Sequence, residues 1–312
     1  MIIPTYNRAE RVVHAVQSVL NQTYSNIELV VVDDGSTDNT CERLSVYSDR
    51  IRYISTPPSG KPGGPARNVG IVAGRGEYLA FLDSDDEWLP DKIAKQVAVL
   101  DNPDIHVVYC DAFYVDDDGN ILRLQRERYR GNILPRLLLG NVVSGSASAV
   151  MLRRSCFAKV APFRPDLDVG DDWDLWLRLA AHFNFDFVPE PLVRIRMHRK
   201  NDHKSKSRMT LSRSCRAIYE GLKADPEARP YILSHWRECQ ATMAYWNASF
   251  LCVEGDRSEA RSEYIKSIRI LPLQSRAYVG FFKTLLGNRT ISFLKRVRSH
   301  PASIYFGRGR EK

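Results

Sequence analysis

Residues 27–36, IELVVVDDGS, and residues 77–86, EYLAFLDSDD, decide the fold. Each is a short apolar run that ends in acids and a turn. In the first, consecutive apolar positions surround a single glutamate, the pattern of a central strand buried on both faces in a parallel sheet. Outward from these, MIIPTY (1–6), IRYIST (51–56) and HVVYCDAFYVD (106–116) also predict strands. Helical spacing fills the gaps. Val12, Val16, Val19 and Leu20 share one face of 9–21, residues 37–47 predict a short helix, and 66–74 turn helical after a Pro- and Gly-rich stretch. Residues 89–102 open with Pro90 and Asp91 at a helix start and place Ile93, Val97 and Leu100 together. Strand and helix therefore alternate with short connections over the first 110 residues. That predicts an α/β fold, a mostly parallel central sheet covered by helices.

Beyond Asn120 the pattern changes. Residues 130–141 and 147–160 predict a helix, then a strand and a short helix that would form the far wall of a cleft. GDDWDLWLRLAAHF (170–183) is a helix whose acidic start complements its positive end. FDFVPEPLVRIRMH (185–198) reads as extended and broken by Pro189 and Pro191. From 207 onward the chain is helical, with a loop at 223–230. Residues 243–272 resemble one tetratricopeptide-like hairpin: helix, Gly255 turn, helix, terminating Pro272. One copy does not distinguish a hairpin packed on the preceding domain from a protein-binding repeat or a membrane-facing patch, and no repeat period runs through the chain.

At 312 residues, with 44% hydrophobic and 26% charged positions, the chain has material for a substantial core, which excludes disorder, collagen and disulfide mini-scaffolds. Six scattered cysteines predict reduced, buried thiols. No run approaches the roughly 18 apolar residues of a membrane span, and the first ten residues do not read as a signal peptide, so a cytoplasmic location is expected. The charge divides unevenly. Residues 193–312 hold 25 Lys and Arg against 10 Asp and Glu, a formal +15, whereas residues 1–192 carry −7. Such a tail suits an anionic membrane surface or an acidic protein. No zinc-finger, RNP-like or basic-heptad pattern supports nucleic acid as a partner.

Three acid groups sit where chemistry would need them. Asp33 and Asp34 close one strand, Asp83, Asp85 and Asp86 close another, and Asp171 and Asp172 begin a helix. In open parallel sheets ligands bind outside the carboxyl ends of strands, so the first two groups should border one crevice. Turn and cap aspartates explain any single group. They explain LDSDD less well, because adjacent acids repel unless a cation relieves them. Neither GxGxxG nor GxxxxGK[ST] occurs in the expected places, which disfavours a dinucleotide fold or P-loop. A nucleotide would then be held by strand-end side chains: Asp34 on a base, Asp83 on a ribose, and a divalent ion on Asp85 beside the diphosphate.

IIPTYNR, VVDDGSTD, GPARNVGIVAGRGEYLAFLDSDDEWLPDKI and GDDWDLWLRL, in that order, resemble the family 2 glycosyltransferases, inverting GT-A enzymes that use nucleotide-sugar donors. The resemblance covers residues 1 to about 200. It implies a GT-A catalytic domain at 1–206, with a nucleotide-binding half at 1–110 and an acceptor-binding half at 111–206, followed by a basic helical subdomain at 207–312. It implies further that Pro4, Thr5 and Tyr6 line the nucleoside pocket, that Asp34 takes the base, and that Asp33 supports its turn. LDSDD corresponds to the family's DxD element: Asp83 and Ser84 lie on the donor side, Asp85 is the Mn²⁺ or Mg²⁺ ligand, and Asp86 is a second candidate. Arg67 would face the diphosphate. Asp171 and Asp172 match the acidic pair, with Asp172 as general base, and Trp173 would stack on an acceptor sugar. Asp174 and Trp176 would be helix-surface and packing residues. His198, from a pattern like YRxH that retains Arg196, is a candidate third metal ligand. Met1 directly precedes Ile2, where relatives carry more of the first strand.

The expected reaction is transfer from a nucleotide diphosphate sugar, a UDP-sugar foremost, to a glycan or lipid-linked acceptor, with the enzyme peripheral on the inner face of the plasma membrane. Two alternatives compete. A sugar-nucleotide-forming nucleotidyltransferase would show a basic glycine-rich loop where this chain has TYNRAERVV, and a non-catalytic nucleotide-sugar-binding protein would not need the acid pair before WDLW.

Overall fold

A computed structural model describes residues 1–61, 63–143, 145–197 and 208–285. Strands β1 (Ile2–Thr5), β2 (Val30–Asp33) and β3 (Arg52–Ser55) form a parallel sheet in that order. Helices α1 (Ala9–Leu20), α2 (Thr40–Ser45) and α3 (Gly64–Ala73) intervene in the chain. The alternation of side chains along β2 decides which helix covers which face. Val31 packs with Ile3, Val12, Val16 and Leu44, whereas Val30 and Val32 pack with Ala66 and Val69 of α3. A run of valines is therefore buried on both sides, as its sequence predicts.

The other edge of β1 bridges in parallel from Ile2 to Phe81 and leads to a second sheet. It contains β4 (Tyr78–Ala80), β5 (Glu87–Trp88), β6 (Val107–Val115), β7 (Ile121–Gln125), β8 (Met151–Arg153) and β9 (Phe185–Arg196), with α4 (Lys92–Leu100) between β5 and β6. The order is β4-β8-β6-β9-β5, with β7 paired to β6. Here only β6 and β9 run parallel, and the other pairs are antiparallel. Parallel pairing thus marks the first half of the fold. The short link from β6 to β7 permits only a hairpin.

Strand β9 is not broken by its prolines. Val188 pairs with Cys110 and Pro191 with Asp111, so Pro189 and Glu190 bulge out. A bulge accommodates residues that cannot donate to the ladder, and Arg128 secures this one by donating to Asp111 Oδ2 (2.7 Å) and the Pro189 carbonyl (3.0 Å).

Helix α5 (Leu134–Leu137), a 3-10 turn at Ala147–Ala149 and a second at Arg154–Ala158 complete the middle region before α6 (Asp171–Ala180). Asp174, expected on the helix surface, is 1% exposed. It is paired with Arg178 (2.8 Å) and Arg164 (3.5 Å) because α6 is covered on more than its apolar stripe. Trp176 is fully buried, as expected of a packing residue.

Among the described residues five helices follow: α7 (Arg208–Ala224), α8 (Arg229–Ser234), α9 (Trp236–Glu254), α10 (Arg257–Ile270) and α11 (Ser275–Leu285). The chain divides into two compact units, Met1–Cys239 and Gln240–Lys312. In the first, α7 packs on the sheet-bearing part, with Tyr219 Oη donating to the Leu138 carbonyl (2.8 Å) and His182 meeting Asp225 (2.9 Å). In the second, α10 and α11 enclose Ala248, Leu251, Ala260, Tyr264 and Ala277. Its helix–Gly255–helix reading is reproduced. Gly255 adopts φ +94°, and Asp256 caps α10 by accepting from Glu259 N–H (3.0 Å). Among the described residues no helix is long and apolar enough to cross a membrane.

Candidate functional site

Parallel register places Thr5 level with Asp33 and Ser55. Leu82 N–H donates to the Ile2 carbonyl (3.0 Å), so the Asp83–Asp86 turn emerges at the same sheet edge. The two strand-end acid groups therefore lie at one edge of the sheet, where open parallel sheets bind ligands.

Asp33 accepts from Ser36 N–H (2.8 Å) and Tyr53 Oη (2.6 Å), closing its turn. Burial, then the Asp33 carboxylate, pushes the Tyr53 phenol well above its ordinary pKa. Asp34 accepts from Ser59 N–H (2.9 Å) and Ser59 Oγ (2.6 Å). Asn7, in the left-handed region at φ 49°, accepts from Thr37 N–H (2.7 Å), and Asp38 accepts from Ala9 N–H at the start of α1 (3.2 Å). These bonds lace the loops after β1 and β2 together. Pro4 is buried and Tyr6 is half exposed. Thr5 is buried with its Oγ1 lacking a hydrogen-bond partner.

The acidic turn is relieved by cations and hydroxyls. Arg8 meets Asp85 Oδ2 at 2.7 Å. Asp86 accepts from Ser148 Oγ (2.6 Å) and Arg196 N–H (3.0 Å), and its carboxyl is pushed well above the usual range by burial and then by Asp85 and Asp83. Ser84 is buried beside them.

Arg67 is the hub. It is 8% exposed, donates to Asp83 and, at 3.2 Å, to Asp171. Burial opposes its charge, but Asp83 and Asp171 outweigh that and raise its pKa. Gly63, at φ +60°, makes the approach possible, since a Cβ there would stand 2.9 Å from Arg67 Nη1. The guanidinium joins the Asp83–Asp86 turn to the acid pair of α6, and its buried Nε has no hydrogen-bond partner. Asp172 accepts from Trp173 N–H (2.7 Å). Burial first, then Asp171, raises its pKa from 3.8 to about 6 against the lowering pull of Arg67. Such a carboxylate is ionised at neutral pH yet basic enough to take a proton.

Trp173, expected at the cleft mouth, is 8% exposed. Its Nε1 donates to the Leu137 carbonyl (2.9 Å) and its ring meets Tyr219 edge-on, so its faces serve packing rather than sugar stacking. His198 lies outside the described residues. Arg8, Ser59, Ser146 and Ser148 were missed by sequence reasoning. Arg8, the cation directly after the first strand end, is the one with a signal that could have found it.

Among the described residues no group of three or more His, Cys, Asp or Glu is arranged to hold a metal. A divalent ion that also takes diphosphate oxygens needs only one or two carboxylates. Asp83 and Asp85, with side chains 26% and 21% exposed, are the carboxylates that could hold such an ion in place of the arginines now against them. The donor set therefore fits a hard cation such as Mg²⁺ or Mn²⁺. Asp86 has both oxygens occupied within the protein.

Residues 1–161 match the family described as Glycosyl transferase family 2. An uncharacterised glycosyltransferase of Rickettsia typhi is 34% identical over 208 residues, 64% of this chain and 63% of that protein's length. The Escherichia coli UDP-Glc:alpha-D-GlcNAc-diphosphoundecaprenol beta-1,3-glucosyltransferase WfgD is 29% identical over 191 residues, 60% of this chain and 72% of that protein. The crystal structure of Staphylococcus aureus TarS 1-349 in complex with UDP has a similar fold, with a TM-score of 0.65 at 18% identity, covering 96% of this chain and 91% of that one. With its parallel sheet, strand-end acids and following helices, the chain belongs to glycosyl transferase family 2.

Proposed function

We propose that the protein is an inverting glycosyltransferase that moves a sugar from a nucleotide diphosphate sugar, a UDP-sugar foremost, to a hydroxyl of a glycan or lipid-linked saccharide. The observation that carries this reading is the buried Arg67, which pairs at once with Asp83 of the strand-end turn and Asp171 of the α6 acid pair. A donor grip and a proton acceptor thereby share one cleft. The names of the relatives support the substrate class: the E. coli protein's includes UDP-Glc and a diphosphoundecaprenol-linked acceptor, and TarS was crystallised with UDP.

In this reading Asp172 takes the proton of the acceptor hydroxyl as its oxygen attacks the anomeric carbon. The bond to the diphosphate breaks with its electron pair going to the leaving oxygen, so one displacement inverts the centre. Thr5 and Asp34 face the nucleoside, and Asp34 must exchange its Ser59 bonds for those of a base. Arg67 Nε has a donor to offer a diphosphate oxygen. Asp83 and Asp85 would hold Mn²⁺ or Mg²⁺, which when bound supplies charge neutralisation of the leaving diphosphate.

Calorimetry with UDP, GDP and dTDP, each with and without Mn²⁺, is the test. One nucleotide should bind at least about tenfold more tightly with the metal, a difference of about 1.4 kcal/mol, and Asp85→Ala should remove that gain. Equal binding in EDTA with full turnover would sink the metal assignment.

The basic C-terminal region adds a partner to the proposal: an anionic membrane surface on the cytoplasmic side, where a lipid-linked acceptor resides. It rests on the +15 charge beyond residue 192 and on α11, which exposes Val279, Phe282 and Leu285 beside Lys283. Each basic residue near such a surface adds on the order of 1 kcal/mol, screened by salt. The basic, apolar segment ISFLKRVR (291–298) lies outside the described residues. Vesicles rich in anionic lipid should float the full chain at low salt and release it at high salt. Lack of flotation at low salt would leave an acidic protein as the partner of this region.

A further inference from the structure

The strained serine turn beneath the acidic strand end has no part in the reaction as written. Ser146 adopts φ 54° and ψ −166°, a region populated almost only by glycine. Its neighbour Gly145 is also at positive φ, and a Cβ there would stand 2.8 Å from Ala112 Cβ and 3.0 Å from Ala149 Cβ, so the turn is pressed onto β6. Two buried side chains hold its carbonyls from below. Trp88 Nε1 donates to Ser148 O (2.7 Å) and Gln96 Nε2 to Ala149 O (2.8 Å).

Above, the same turn grips the acids. Ser148 Oγ accepts from Asp83 N–H (3.0 Å) and donates to Asp86 Oδ2 (2.6 Å). Ser146 Oγ lies 3.4 Å from Asp83 Oδ2, to which it donates, and accepts from Ser148 N–H (3.3 Å). Asp86 is tied on its other oxygen to Arg196 N–H (3.0 Å), which fixes the far end of the turn to β9. Ser148 is fully buried, so these bonds are not exchanged with solvent.

We propose that Ser146 and Ser148 are positioning residues that fix the spacing of the Asp83–Asp86 turn for the donor diphosphate, and that the strained Ser146 backbone is retained because it aims the hydroxyl at Asp83. This rests on the donor-site reading above. A glycine at 146 relieves the strain but removes the hydroxyl, whereas an alanine removes the hydroxyl and keeps the strain. Stability and donor affinity should therefore move apart, which a merely structural residue would not produce.

The test compares the unaltered chain with Ser146→Gly, Ser146→Ala and Ser148→Ala. Thermal midpoints are read beside calorimetric affinity for UDP, GDP and dTDP with Mn²⁺, and kcat and KM are read on the donor that carries the preferred base. Ser146→Gly should melt at or above the wild-type temperature and Ser146→Ala below it. Both should bind the nucleotide about 3- to 10-fold more weakly, with KM rising more than kcat falls. Ser148→Ala should lose at least as much affinity. Wild-type affinity and KM in Ser146→Gly and Ser148→Ala, with the parent binding normally, would overturn the positioning role alone. Absence of any nucleotide binding by the parent would overturn the donor reading and this role with it.

Discussion

Asp172→Asn should lower transfer by about 10²- to 10⁴-fold, the usual contribution of a general base, while nucleotide affinity stays within about twofold. In the proposed reaction Asp172 acts on the acceptor proton, so its loss belongs to kcat rather than to donor binding. The pH profile provides a second readout. Burial and the neighbouring Asp171 raise Asp172 from 3.8 to about 6, and a base works only when ionised. Activity should therefore be full above that value, with kcat/KM falling about tenfold per pH unit below it. Asp171→Asn removes the adjacent negative charge, lowers the Asp172 pKa and should move this acid limb to lower pH. Steady-state rates between pH 4.5 and 8 decide the matter. Near-normal transfer by Asp172→Asn combined with a dead Asp171→Asn would exchange the two roles.

The second large effect is on stability. Arg67→Met should cost about 3–5 kcal/mol, because removing one partner of a buried pair strands the others. Here two carboxylates lose their shared cation: Asp83 and Asp171, whose side chains are 26% and 15% exposed. Arg67→Lys keeps the charge but not the planar fork that meets both acids, so it should fall between methionine and the wild type. Urea unfolding with an unchanged m-value would show the loss as a shifted midpoint. A methionine variant within about 0.5 kcal/mol of wild type, the range of ordinary surface substitutions, would mean that the ion cluster does not hold the two halves of the site together.

Arg67 also shows where sequence reading stops. A helix-start arginine following PGGP was expected to face a diphosphate, and its two terminal nitrogens meet acids 16 and 104 residues away in the chain, partners that no local pattern records. Trp173 and Asp174 mark the same boundary. Helical spacing says which residues share a face but not how many neighbours cover it, so a sugar platform and a surface acid both turn out buried. Pro189 and Pro191 read as a break because a proline cannot donate to a ladder, yet the pairing with β6 carries on past them, with Pro189 in a bulge and Pro191 opposite Asp111.

What the sequence determined by itself was local: the valine-rich strand before Asp33, the alternating helices, the acids at strand ends and at the start of α6, and the Gly255 turn between two helices. These follow from side-chain period and turn chemistry, which act over a few residues. What only the tertiary structure decided was partnership: Ser59 on Asp34, Arg8 on Asp85, Ser148 between Asp83 and Asp86, and Arg67 between two acid groups. Periodicity contains no record of these pairs. They exist because a parallel sheet carries its strand ends to one edge, and burial there forces each charge and hydroxyl to find whichever partner the topology has brought within reach.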